Sequence, residues 1–198
     1  LALSPDGQRL VTVDENGVAA LSEIQSGELE LLPQAPGAEV GAQTTAGLSW
    51  DANGKRVAIS SGDFVRVVDV DSGESRRAQV TSGATAVAFS PNGTELAVGG
   101  SRLAFLSLPD LKEKRHITLP RQSGSDGSLD VRYSADGRWL GLLLHAGVAL
   151  VDLASGEVTS AFLVETPPEG IRFATDGRMA VFGRSSLYVG SITTNDLA

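Results

Sequence analysis

The sequence has no cysteine, one methionine, 5% aromatic residues and lysine only at positions 55, 112 and 114. Without cysteine there is no disulfide framework, no thiolate nucleophile and no thiolate zinc site, and the compartment is left open. Positive charge is scarce: 16 Lys and Arg stand against 24 Asp and Glu, for a formal charge of -8. A duplex nucleic-acid binder carries a basic stripe that releases phosphate counterions, so no nucleic-acid partner is expected. Long apolar runs are missing too. The longest, beginning at Leu140–Leu144, is broken by His145 and falls far short of the ~20 residues a membrane-spanning helix needs. No basic and apolar leader precedes Ser4-Pro5-Asp6-Gly7, so a soluble chain is expected, with no signal peptide unless one has been removed.

Glycine, by contrast, is plentiful at 23 residues, and much of it recurs at a regular step. The markers are Ser4-Pro5-Asp6-Gly7, Asp51-Ala52-Asn53-Gly54, Ser90-Pro91-Asn92-Gly93, Ser134-Ala135-Asp136-Gly137 and Ala174-Thr175-Asp176-Gly177. Their spacing of about 40 to 47 residues matches a unit of four strands. Alternating segments flank each marker, for example Ala86–Phe89 before and Glu95–Val98 after. An Asp-Gly or Asn-Gly pair supplies the positive φ angles of a hairpin, so each marker reads as a turn between two antiparallel strands.

A second turn follows at fixed distance: Ile24-Gln25-Ser26-Gly27-Glu28, Val70-Asp71-Ser72-Gly73-Glu74 and Leu153-Ala154-Ser155-Gly156-Glu157, with Leu108-Pro109-Asp110 in the third unit. A more polar stretch comes next, such as 111–119 or 157–164, as expected of an outermost strand facing water. Each unit is therefore a four-stranded antiparallel sheet, and the fold class is all-β. The five units cover approximately 1–44, 45–83, 84–128, 129–168 and 169–198.

The Ser-Pro-Asp-Gly turn followed by Asp-x-x-Ser-Gly-Glu resembles the blades of WD-repeat and related bacterial β-propellers, of the WD-like, TolB-like and lipoprotein-associated kinds. The likeness extends over essentially the whole chain. The Trp-Asp pair is absent: Ser22-Glu23, Val68-Asp69, Leu106-Ser107 and Val151-Asp152 stand there, and no Gly-His opens a blade. The hydrogen-bond network of that family cannot form, which makes this a divergent member. Closure usually borrows a strand from the far end of the chain, and neither end offers a spare one, so five blades of a seven- or eight-bladed ring are expected. A closed five-bladed ring is the alternative.

The resemblance implies a non-catalytic interaction scaffold or regulatory domain of a larger bacterial protein, whose partner is another protein or another domain of the same polypeptide. Its alternatives are an envelope-associated, ligand-sensing propeller and the gating propeller of a hydrolase catalytic domain outside the chain. The cytoplasm is the first choice of compartment, with the envelope second. No catalytic residue, metal ligand or cofactor is expected: there is no Gly-x-Ser-x-Gly elbow and no phosphate loop, and the two histidines, His116 and His145, fall in different units. Asp69–Gly73 lacks the remaining ligands of a calcium loop and reads as the blade turn. Candidate binding residues lie on the loops opposite the marker turns: Glu15, Asp63, Arg102, Arg121, His145 and Arg184.

Overall fold

The computed structural model describes residues 1–14, 17–33, 47–81, 83–119, 128–144, 147–161, 168–184 and 186–191. Blade 1 comprises β1 (Ala2–Leu3), β2 (Arg9–Val13), β3 (Ala19–Glu23) and β4 (Leu29–Leu31); blade 2, β5 (Leu48–Trp50), β6 (Arg56–Ser61), β7 (Phe64–Asp69) and β8 (Ser75–Gln79). Blade 3 holds β9 (Ala86–Phe89), β10 (Glu95–Gly99), β11 (Leu103–Ser107) and β12 (Lys112–Ile117). Blade 4 holds β13 (Ser128–Tyr133), β14 (Trp139–Leu144), β15 (Gly147–Asp152) and β16 (Val158–Ala161), and blade 5 holds β17 (Gly170–Phe173), β18 (Arg178–Phe182) and β19 (Leu187–Ser191). Every blade pairs its strands antiparallel in sequence order. A fourth strand of blade 5 would fall on 192–198, outside the described residues.

The first strands pack on one another in turn, β1 on β5, β5 on β9, β9 on β13 and β13 on β17, which makes them the inner strands of a ring-like stack. The sheets face each other, and each interface between blades is an apolar cluster. Val11, Leu21, Val57 and Ile59 join blades 1 and 2; Val65, Val67, Val87 and Leu96 join 2 and 3; Phe105, Leu103, Leu140 and Leu142 join 3 and 4; Trp139, Leu143, Ile171 and Met179 join 4 and 5. A buried side chain of this size contributes about 1.5–3 kcal/mol, and small residues set the spacing between sheets. At Gly141 a β-carbon would come within 2.4 Å of Ile171 Cδ1 and 3.0 Å of the Phe173 ring, so only glycine admits blade 5 this close.

The five marker turns are present, with Gly7, Gly54, Gly93, Gly137 and Gly177 at φ between 65° and 83°. The preceding Asp or Asn is not in the left-handed region, contrary to the Asp-Gly expectation; in blades 1, 3, 4 and 5 its side chain instead accepts hydrogen bonds from the turn. The Ser4 hydroxyl donates to Asp6 Oδ1 at 2.6 Å while Ser4 Oγ accepts the Arg9 amide, and Ser134 repeats this with Asp136 and the Trp139 amide. These donors hold Asp6 and Asp136 below the usual carboxylate range. In blade 2 the Asp51 carboxylate takes the place of the serine, accepting the Lys55 and Arg56 amides.

The second turn also recurs. The Asp69 carboxylate accepts the amide and hydroxyl of Ser72, which lowers its pKa, and Asp152 accepts the Ala154 amide to the same effect. In blade 3, Leu111 stands where Gly27, Gly73 and Gly156 stand elsewhere. Its amide donates to the Ser107 carbonyl at φ 54°, and its side chain is buried against the blade 2–3 core.

Candidate functional site

Antiparallel order divides the loops between two faces. The marker turns and the Ser-Gly-Glu turns share one, here the turn face. The hairpins between second and third strands share the other with the connections between blades, here the rim face. Among the candidate residues, Glu15, Arg121 and His145 lie outside the described residues.

Asp63, Arg102 and Arg184 are described, and each sits on a rim-face hairpin of a different blade. The Asp63 side chain is exposed, and its carbonyl accepts the Val80 amide at 2.7 Å, anchoring the connection to blade 3. Arg102 Nη2 donates to Thr81 Oγ1 and to Glu113 Oε2, both at 2.9 Å, tying that connection to the outer strand of blade 3. Arg184 Nε donates to Glu169 Oε1 at 2.8 Å, clamping the connection that enters blade 5. Among the described residues no hydrogen bond or ion pair links any two of the three. The rim thus presents separate polar features fixed by their own blades.

The turn face carries the more regular chemistry, which the candidate residues missed. In blades 1 to 4 the first residue of the second strand meets the last residue of the next blade's inner strand. The Arg9 guanidinium lies 5.4 Å from the Trp50 ring centroid and bonds the Gly54 carbonyl. Arg56 lies 5.3 Å from the Phe89 centroid, donates to the Gly93 carbonyl at 3.2 Å and pairs with Asp51 at 2.9 Å. At the next interface Glu95 Oε1 accepts the Tyr133 hydroxyl at 3.0 Å, and at the last Trp139 and Phe173 pack in one cluster. Arg178 occupies the same register in blade 5, where its carbonyl accepts the Ala174 amide as that of Arg9 accepts the Ser4 amide. Aligning the five markers exposes these two columns, so the signal was present in the sequence.

Around the Glu95–Tyr133 pair a recess of about 250 Å³ opens between blades 3 and 4. Burial, together with the negative charge of Glu95, pushes the Tyr133 phenol far above its ordinary pKa, so it stays protonated and donates. Arg115 completes the network at 3.3 Å from Glu95 while stacked 3.9 Å over Phe105. The donors and acceptors here satisfy one another across the interface, which suits a tie between blades.

No protein-family model matches the chain in sequence, and no curated protein does. Solved structures do match in shape. Hydrazine synthase of Kuenenia stuttgartiensis superposes with a TM-score of 0.71 at 19% identity, over 90% of this chain and 53% of that one. The β-propeller domain of Cps50 (Swd1) from Myceliophteria thermophila gives 0.77 at 14% identity, over 100% of this chain and 66% of that domain. The chain therefore spans about half of one relative and two-thirds of the other. At such identities the likeness concerns the fold, and with the sheet order it identifies the chain as five successive blades of a β-propeller.

Proposed function

We propose that the chain acts as an interaction scaffold, binding a protein partner or another domain of its own polypeptide on the rim face, without catalysing a reaction. The observation that carries this reading is the rim itself. Asp63, Arg102 and Arg184, on three different blades, are presented by hairpins of one rigid stack, two of them fixed by ion pairs to their own blade. Loops held on a rigid scaffold are where binding residues concentrate, and a disc of blades offers many at once. The fold by itself does not specify a function, so the reading rests on that presentation.

The same proposal includes further blades. Leu3, Leu29 and Leu31 of blade 1 and Leu187 and Val189 of blade 5 are each more than half exposed, whereas apolar side chains that face a neighbouring blade, such as Val57, Val65, Phe105 and Leu140, are buried. Apolar flanks of this kind favour a larger ring, in which Arg178 would meet an aromatic residue of a next blade. Gentle affinity purification of the intact protein with mass spectrometry tests the scaffold reading. A stoichiometric partner is expected whose retention drops with Arg184→Glu; a partnerless monomer under those conditions would overturn it.

A further inference from the structure

Two residues before each marker turn, the inner strands carry Ala2, Ser49, Ala88, Arg132 and Arg172. Blades 1 to 3 thus place small side chains at this level of the inner wall, and Ser49 accepts the Phe89 amide of the neighbouring blade. Blades 4 and 5 place arginines at it, on strands that pack directly against each other. Both arginines converge on one carboxylate. Arg132 Nη2 is 3.1 Å from Asp130 Oδ1, and Arg172 Nη1 is 3.6 Å from Asp130 Oδ2.

Each guanidinium is steadied by the carbonyl just before it, Arg132 Nη1 on Val131 at 3.2 Å and Arg172 Nη1 on Ile171 at 2.7 Å. Asp130 Oδ1 is further engaged by the Val131 amide at 2.9 Å. Two cations facing one anion leave a surplus positive charge, in a chain whose formal charge is -8. Asp130 and Arg132 are partly buried, which pushes the Asp130 carboxyl up and the Arg132 guanidinium down, while Arg172 stays more than half exposed. Arg172 Nε and Nη2 have no hydrogen-bond partner among the described residues.

We propose that Arg132 and Arg172 together bind a compact oxyanion, a carboxylate or a phosphate group, at the inner wall between blades 4 and 5. The guanidinium fork matches either group with paired N–H donors, and partial exclusion of water strengthens the attraction. Asp130 orients the two arginines and competes with the ligand. Position in the ring separates this site from the rim face, so the inference stands independently of the scaffold reading.

Isothermal titration of the intact protein with inorganic phosphate and, separately, with succinate tests it. Saturable binding to a single site is expected for at least one probe, and the tighter probe identifies the ligand class. Arg172→Ala, at a side chain more than half exposed, is expected to weaken that binding at least tenfold with the protein still folded by circular dichroism. Asp130→Asn, which removes the competing carboxylate, is expected to tighten it several-fold. Arg178→Ala, on the turn face, leaves it unchanged. Absence of saturable binding for both probes, equal affinity in Arg172→Ala, or weaker binding in Asp130→Asn would each overturn the proposal.

Discussion

Arg56 lies over the ring of Phe89, 5.3 Å from its centroid, and joins blade 2 to blade 3 through the Gly93 carbonyl while its Nε holds the buried carboxylate of Asp51. Cutting Arg56 to methionine removes the stacking and leaves Asp51, 3% exposed, without its cation. The expected loss is about 2 kcal/mol of stability in urea unfolding. A double-mutant cycle with Phe89→Leu is expected to show a coupling of about 0.5–1 kcal/mol. Zero coupling would mean that the contact is not part of the inter-blade tie.

Local chemistry explains what could be read in the sequence. The marker turns close on themselves: Ser4, Asp6 and Gly7 need only each other and the Arg9 amide. Their step therefore yields the five units of this chain, the strand order within each and the face each turn lies on. The Arg56–Phe89 tie joins residues 33 positions apart, and becomes legible only after the registers of two blades are aligned. Loop position places each rim residue on its hairpin but does not reveal the pairing of Arg102 with Glu113 or of Arg184 with Glu169, whose partners lie 11 and 15 residues away on other elements. The Asp130–Arg132–Arg172 cluster was missed because alternation along β13 and β17 assigns a sheet face without saying that two inner strands meet.

Gly141 should tolerate no side chain. Its alanine variant would press a β-carbon against Ile171 and Phe173, with an expected cost of about 1–3 kcal/mol at the blade 4–5 interface. Gly190→Ala, with open space around the new atom, is the control and should change the melting temperature little.

Leu111 couples strain to burial. Its left-handed backbone costs on the order of 1 kcal/mol, and its side chain recovers more by filling the core between blades 2 and 3. Although glycine is the residue other blades use here, Leu111→Gly should therefore destabilise the fold, by about 1–3 kcal/mol. A gain in stability on chemical denaturation would show that strain outweighs packing.

The turn carboxylates set the acid limb of stability. Ser4 and Ser134 donate to Asp6 and Asp136, and backbone amides donate to Asp69, Asp152 and Asp176, holding all five below the ordinary range. A depressed folded pKa contributes stability that is complete above the unfolded value of about 4 and is lost as pH falls through the lower folded values. Asp130 runs the other way: raised by burial, it takes up its proton first, and that step favours the folded state. Urea unfolding should thus show stability holding from pH 7 to about 5 and dropping below about 4, with Asp136→Asn reducing the drop. A fall that begins near pH 6 would contradict this assignment.

Hydrogen exchange on the intact protein, alone and with its purified partner, bears most directly on the scaffold claim. Binding is expected to slow amide exchange in the rim-face hairpins around Asp63, Arg102 and Arg184, and to leave the turn-face loops around Gly7, Gly54 and Gly93 unchanged. Protection confined to the turn face or the outer strands would contradict it.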